Sequence, residues 1–255
     1  ARHFDEAFED EKAIKYLLMA GDRARATYAN ADAVRYYSRA REIIARGRAD
    51  RREQEYQVAR SLAQVYALQG RATEQQVEID QLLRLGQALL DKSKLADGYI
   101  QQSKFFTQVG DYARAKQTGT NALNLANEIG NDTRRADAQV AVGEACAFLA
   151  EHDEALGHLR AALEFYRRVQ DRHNQAEAIR LIAQVYLNHN DYLEALEHAQ
   201  DALALFGETG DRLGEDKTLR YVGDIHCGRG DYQPALDYYQ QVLRIRREIG
   251  NRARE

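Results

Sequence analysis

The chain carries the same short punctuation four times at a spacing of 40 residues, and this repeat limits its fold more than any other feature. The segments are Gly110-Asp111-Tyr112-Ala113-Arg114-Ala115, Ala150-Glu151-His152-Asp153-Glu154-Ala155, Asn190-Asp191-Tyr192-Leu193-Glu194-Ala195 and Gly230-Asp231-Tyr232-Gln233-Pro234-Ala235. A second marker keeps the same register: Glu128-Ile129-Gly130-Asn131, Glu208-Thr209-Gly210-Asp211 and Glu248-Ile249-Gly250-Asn251. Two independent markers in step identify a repeat architecture, in which each unit buries its apolar face against its neighbours.

Between the markers the apolar period is helical. Leu156, Leu159, Leu163 and Tyr166 follow one marker, and Leu196, Ala199, Leu203 and Phe206 follow the next. Ile179, Ile182 and Tyr186, then Leu219, Val222 and His226, precede markers. Steps of three and four put each set on one helix face. Each unit is therefore a pair of antiparallel helices. Glycine ends the first in a left-handed conformation, and the following Asp is placed to cap the second. The outer turn follows the same logic. Ala, Leu, Glu, Arg and Gln dominate the composition, and all are good helix formers. The single proline is Pro234, and no alternating Val/Ile/Thr run reads as a strand.

The residue pattern resembles the tetratricopeptide repeat (TPR). Ser103, Gly143, Ala183 and Gly223 fill its first small position, and Phe106, Cys146, Tyr186 and His226 its aromatic position. Ala115, Ala155, Ala195 and Ala235 fill the next small position, and Ala122, Ala162, Ala202 and Val242 the last. Small residues let two helix backbones approach, and the aromatic fills the space above them. The usual closing proline is absent, with Asn127, Arg167, Gly207 and Arg247 in its place. The six residues beyond the family's usual length are expected to extend the second helix, the outer turn and the start of the next first helix. Upstream, Leu62, Ala63, Tyr66 and Gly70 repeat the first helix, with Gln75 where alanine is expected.

The resemblance implies an all-α fold, a right-handed TPR superhelical solenoid of antiparallel helix pairs. Residues 1–50 would hold degenerate TPR-like helices, with Ala13 and Ala33 only 20 apart and His3-Phe4 as the tail of a helix begun earlier. Five hairpins would occupy 51–92, 93–131, 132–171, 172–211 and 212–250, and 251–255 would open a truncated further repeat. The absent initiator Met fits a piece cut from a longer protein.

Forty-residue repeats with a Gly-Asp or Gly-Asn outer turn resemble two groups. One is the C-terminal sensor arm of bacterial signal-transduction (STAND-type) ATPases and related cyclase-linked or transcriptional regulators. The other is the eukaryotic spindle-orientation and G-protein-modulator scaffold. The run from Ala20 to Tyr37 (AGDRARATYANADAVRYY) resembles the opening of the TPR region in the first group. Arg outnumbers Lys 29 to 7, which favours a GC-rich bacterial source. The implied function is a non-catalytic interaction and sensing arm that binds a peptide or protein in its concave groove. The alternative is a static scaffold adaptor.

Projected through the register, that groove presents Gln57, Arg60 and Gln64, then Asp97, Gln101 and Lys104, then Asp137, Glu144 and Phe148. The last two units add Glu177, Arg180, Gln184 and Asn188, then Lys217, Arg220, Tyr221 and Asp224. Arg180 and Arg220 share a register and could grip a peptide carboxylate through forked hydrogen bonds. Equally, Glu177, Asp224 and Asp137 could neutralise them. The Lys/Asn carboxylate clamp of chaperone-binding TPR domains is not reproduced.

Other chemistry finds little footing. The net charge of −4 gives no general attraction to nucleic acid or membrane. The basic cluster Arg39, Arg41, Arg46, Arg48, Arg51 and Arg52 is interleaved with Glu42, Asp50 and Glu53, so nucleic acid is not an expected partner. No window approaches the length of a transmembrane helix. No nucleophile elbow, phosphate loop or metal spacing occurs, so no catalytic residue, metal or cofactor is expected. His226 beside Cys227 is no catalytic pair, because neighbouring helical residues diverge and His226 takes a core aromatic position. Cys146 reads as a small core residue, and two distant cysteines suit a reducing cytoplasm. The cut ends would leave apolar helix faces open to end-to-end self-association.

Overall fold

The computed structural model describes residues 2–47 and 50–250, and among them are twelve helices and no strand. In chain order these are α1 (Arg2–Ala26), α2 (Asn30–Arg46), α3 (Arg52–Leu68), α4 (Ala72–Ala88), α5 (Lys92–Gln108) and α6 (Tyr112–Glu128). Then come α7 (Asp132–Phe148), α8 (His152–Arg168), α9 (Arg172–Asn188), α10 (Tyr192–Thr209), α11 (Arg212–Gly228) and α12 (Tyr232–Glu248). His3 and Phe4 lie within α1. Arg48 of the basic cluster and residues 251–255 fall outside the described residues.

From α3 onward every helix begins 20 residues after the one before, at 52, 72, 92 and so on to 232. The long repeat is therefore two near-equal halves. Nine of these ten helices have 17 residues, and α10 has 18. Both helices and both turns of a hairpin match in length, so the 40-residue period is shared equally between its halves.

The reason is one turn chemistry used throughout. Gly70, Gly110, Gly130, Gly210, Gly230 and Gly250 all have positive φ, and so do Leu90, Ala150, Gln170 and Asn190 at the intervening positions. At Gly110 the Asp111 N–H returns to Phe106 C=O at 2.8 Å and the Gly110 N–H to Thr107 C=O at 3.2 Å, satisfying the carbonyls the helix end leaves open. A non-glycine residue in that conformation costs roughly 1 kcal/mol. The next helix is then capped by a side chain in some units. Asp111, Asn131, Asp171 and Asp211 each accept a backbone N–H from the first turn. Asp191 and Asp231 hold the same position without such a bond, because His189 draws Asp191 back at 2.8 Å and Arg229 draws Asp231 at 3.3 Å.

The chain divides into two compact units, Ala1–Gln101 and Gln102–Glu255. In the first, Ile14, Tyr37, Leu62 and Val65 are buried together, and the Tyr37 hydroxyl donates to Asp22 at 2.7 Å. The Arg41 fork grips the buried Glu78 across α2 and α4. Gln75 is buried where later hairpins carry alanine, and its Oε1 has no partner.

In the second unit the small residues mark close helix approaches. A Cβ on Gly143 would sit 2.7 Å from Leu159, and one on Gly223 2.5 Å from the Tyr239 ring. Ser103 is fully buried and donates to Ala115 C=O at 2.7 Å. Ala155, Ala183 and Ala195 are fully buried. Cys146 is buried, whereas Cys227 is exposed; His226 stacks on Tyr238 with ring centroids 5.4 Å apart.

Candidate functional site

Within the second unit the first helices of successive hairpins, α7, α9 and α11, touch one another directly, α9 bridging the other two. This brings side chains 40 residues apart to one surface. A cleft of about 520 Å³ opens there, lined from α5 by Lys104, Thr107 and Gln108, and from α7 by Asp137, Val140, Glu144 and Phe148. Asn174, Glu177 and Arg180 of α9 and Asp216, Lys217, Arg220 and Tyr221 of α11 complete the lining, with Tyr166 of α8 and Arg246 of α12.

The floor is a closed ionic network. Arg180 is only 2% exposed. Its Nε donates to Glu177 Oε2 at 2.9 Å and a second guanidinium nitrogen to Oε1. Its remaining nitrogen donates to the Tyr221 hydroxyl at 3.0 Å, and that hydroxyl donates onward to Gln184 Oε1 at 2.8 Å. Burial acts to raise the Glu177 pKa, but Arg180, with Lys217 behind it, overrides this and holds the carboxyl well below the usual range. Burial likewise opposes the charge on Arg180, and Glu177 restores it. The fork that could have gripped a ligand carboxylate is thus already filled by Glu177. Arg220 is drawn to Asp224 at 2.9 Å and lies over the Tyr221 ring at 4.5 Å.

Above this floor several groups remain available. Lys104, Lys217 and Glu144 make no hydrogen bond or ion pair of their own among the described residues, although both lysines act electrostatically on Glu177 and Glu144 acts on Arg180. Phe148 is 38% exposed and is backed by Tyr112, stacked at 4.5 Å. The Tyr166 hydroxyl donates to Asp137 at 2.6 Å; burial, reinforced by that carboxylate, pushes the phenol pKa far up. The cleft therefore offers two ammonium groups, one carboxylate and one aromatic face on a rigid base.

Of the residues projected from the repeat, the cleft gathers Lys104, Asp137, Glu144, Phe148, Glu177, Arg180, Lys217, Arg220 and Tyr221. Gln184 is buried beneath it, Asn188 donates to Ala147 C=O at 3.0 Å, and Asp224 is shared between Arg220 and the Tyr239 hydroxyl. Gln57, Arg60, Gln64 and Gln101 belong to the first unit. There Gln57 borders a separate, mainly apolar cavity of about 550 Å³ beside Ile14, Leu18 and Met19. Thr107, Gln108, Val140, Tyr166, Asn174, Asp216 and Arg246 line the second-unit cleft without having been projected. Arg246 carried a signal: it falls where the two preceding hairpins place Tyr166 and Phe206, and a charge at a core position needs a partner. The partner is Asp216, 1% exposed and 2.8 Å from Arg246 Nε.

One further cluster could suggest a metal. Donor atoms of Cys146, Glu151 and Glu154 lie within 4.8 Å of one another. Lys116 Nζ already bridges both carboxylates, at 2.8 and 2.9 Å, and burial, helped by Glu151, pushes the thiol up to about 12. The lysine thus supplies the cation, and the sulfur stays protonated. No described helix is long and apolar enough to cross a membrane.

Residues 135–208 and 174–248 match a tetratricopeptide repeat family model. No curated protein sequence is significantly similar to the chain. Among solved structures, it is similar to a Rap protein complexed with competence and sporulation factor, at 14% identity and a TM-score of 0.70, over 94% of this chain and 78% of that one. It is similar to the Rap conjugation gene regulator of plasmid pLS20 in complex with the Phr* peptide, at 13% identity and a TM-score of 0.76, over 93% and 64%. It is also similar to a STAND protein with a tetratricopeptide repeat sensor from Pyrococcus horikoshii, at 16% identity and a TM-score of 0.64, over 88% of this chain and 33% of that one. At such identities the likeness is one of fold.

Proposed function

We propose that the chain, a helical repeat array whose residues 135–208 and 174–248 match a tetratricopeptide repeat model, is a non-catalytic interaction arm of a bacterial signalling or transcriptional regulator, taking a peptide or protein segment into the cleft between Lys104 and Arg246. One observation carries this reading. Lys104, Lys217 and Glu144 stand without a hydrogen bond or ion pair, beside the part-exposed Phe148 ring, over a floor whose own charges are already paired. Preorganised floors lower the ordering cost of binding, and uncommitted charges at the rim supply orientation. Two neighbours of the same fold were solved with competence and sporulation factor or the Phr* peptide bound, which supports a peptide as the ligand class.

A random linear peptide library displayed on phage, panned against the immobilised chain, tests the reading. Enriched peptides are expected to bind about tenfold more weakly when Lys104 and Lys217 are both changed to Glu. Failure to enrich any sequence, or equal binding to the double variant, refutes the cleft as the site. A ligand alters the arm only by binding one curvature better than another. Small-angle scattering at peptide saturation therefore separates a sensing arm, whose radius changes, from a static scaffold, whose radius does not.

A further inference from the structure

The charges of the second-unit cleft are unequally committed. Both oxygens of Glu177 accept from Arg180, Asp216 accepts from Arg246 at 2.8 Å, and Asp224 accepts from Arg220 at 2.9 Å. Asp137 accepts the Tyr166 hydroxyl at 2.6 Å. Lys104 of α5 and Lys217 of α11 have no such partner among the described residues, yet both act electrostatically on one carboxylate, that of Glu177 on α9. Two ammonium groups therefore converge on a point whose own anion is already held by a buried guanidinium. A carboxylate brought between them is attracted by both without breaking an existing pair. An ammonium brought to the same place meets like charge twice.

The α7 wall limits what else a bound segment can carry. Asp137 and Glu144 both line the cleft and stand seven residues apart, two turns along one face of the helix. A second acid on the segment would face one of these carboxylates, so the cleft discriminates against a polyanion. Phe148 lies one turn beyond Glu144, part-exposed and held in place by Tyr112, which stacks on it at 4.5 Å. A ring fixed in this way offers apolar area at little ordering cost. Lining residues continue on α5 and α7 before Glu177 and on α11 and α12 after it, which suits an acid inside the segment rather than a terminal carboxylate.

Resting on the reading of this cleft as a peptide site, we propose that its occupant carries one acidic side chain seated between Lys104 and Lys217, beside an aromatic or aliphatic side chain on the Phe148 ring.

The test uses peptides enriched on phage against the chain, then synthesised with amidated C-termini so that side chains supply the only carboxylates. Affinity is read by fluorescence anisotropy. The enriched set is expected to share one Asp or Glu next to an apolar residue. Changing that acid to its amide should weaken binding to the wild-type chain about fivefold, and changing it to Lys should weaken it further. The variant with Lys104→Glu and Lys217→Glu should reverse the order and prefer the Lys peptide to its parent. The amide comparison is made on the wild-type chain, so it decides the matter even where the double variant does not fold. Enriched peptides without an acid, an amide peptide that binds as tightly as its parent, or a folded double variant that does not prefer the Lys peptide each overturn the proposal. If the double variant weakens the parent while the amide peptide binds unchanged, the cleft stands as the site and only the chemistry assigned to its occupant is wrong. If nothing is enriched, or the parent binds the double variant equally, the cleft reading falls and this proposal with it.

Discussion

Replacing Arg180 with Met probes the floor of the cleft directly. Methionine keeps most of the buried stem and removes the guanidinium, and with it two charged hydrogen bonds to Glu177 and one to the Tyr221 hydroxyl. Hydrogen bonds to charged groups contribute about 1.5–3 kcal/mol each, and stranding a buried carboxylate costs about 3–5 kcal/mol. The Glu177 side chain is 27% exposed and Lys217 and Lys104 act on it, so the lower end applies, about 3 kcal/mol. At roughly 2–4 °C per kcal/mol for a unit of this size, the melting temperature should fall about 6–12 °C at pH 7. The pH dependence fixes the cause. In the wild type the Glu177 pKa is depressed by folding, so its contribution is present above the unfolded value near 4.3 and lost as pH falls through the lower folded value. Without Arg180, burial prevails and raises the folded pKa above the unfolded one. The variant's deficit should then shrink as the pH is lowered toward 4, where the carboxyl folds protonated. Adding Glu177→Gln to Arg180→Met should recover about half the loss at pH 7. Circular dichroism melts at pH 4 and 7 read both effects. A single variant within 1 °C of wild type at pH 7, or a deficit that does not change with pH, refutes the account of this network.

Two further substitutions address the joints and the turns. Ala195→Leu, at a fully buried helix contact, should overpack and cost about 1–3 kcal/mol in urea titration, whereas Glu197→Leu on the exposed side of the same helix should cost under about 0.5 kcal/mol. Equal effects would misplace the helix pairing. Leu90 holds φ +52° with its side chain 91% exposed, so Leu90→Gly should relieve left-handed strain and raise stability by about 0.5 kcal/mol, measured as a higher urea midpoint. A lower midpoint would show that the turn is not strained.

The helix pairs were legible because their signals are local. The Gly-Asp turns and the three-and-four apolar step repeat within each stretch of chain, and α6, α7, α8, α10, α11 and α12 begin where those signals place them. The half-length beat was hidden. Leu90 and Gln170 take the same backbone conformation as the glycines without sharing their side-chain chemistry, so the turns they form carry neither marker. In the cleft, register alone put Arg180 and Arg220 on one face. It did not reveal that Arg180 is buried, which follows from the approach of α9 to α11 and from the Tyr221 hydroxyl waiting there. Asp216 was missed for a related reason: its role depends on Arg246 reaching across from α12, a contact no single-helix pattern contains.

The common turn has a consequence for how such an array changes over generations. Because every boundary from Gly70 to Gly250 closes with the same backbone conformation, a duplicated or deleted block of 40 residues rejoins its neighbours without a new linker. Gene copying can therefore alter the number of hairpins, while each surviving turn keeps the geometry it had before.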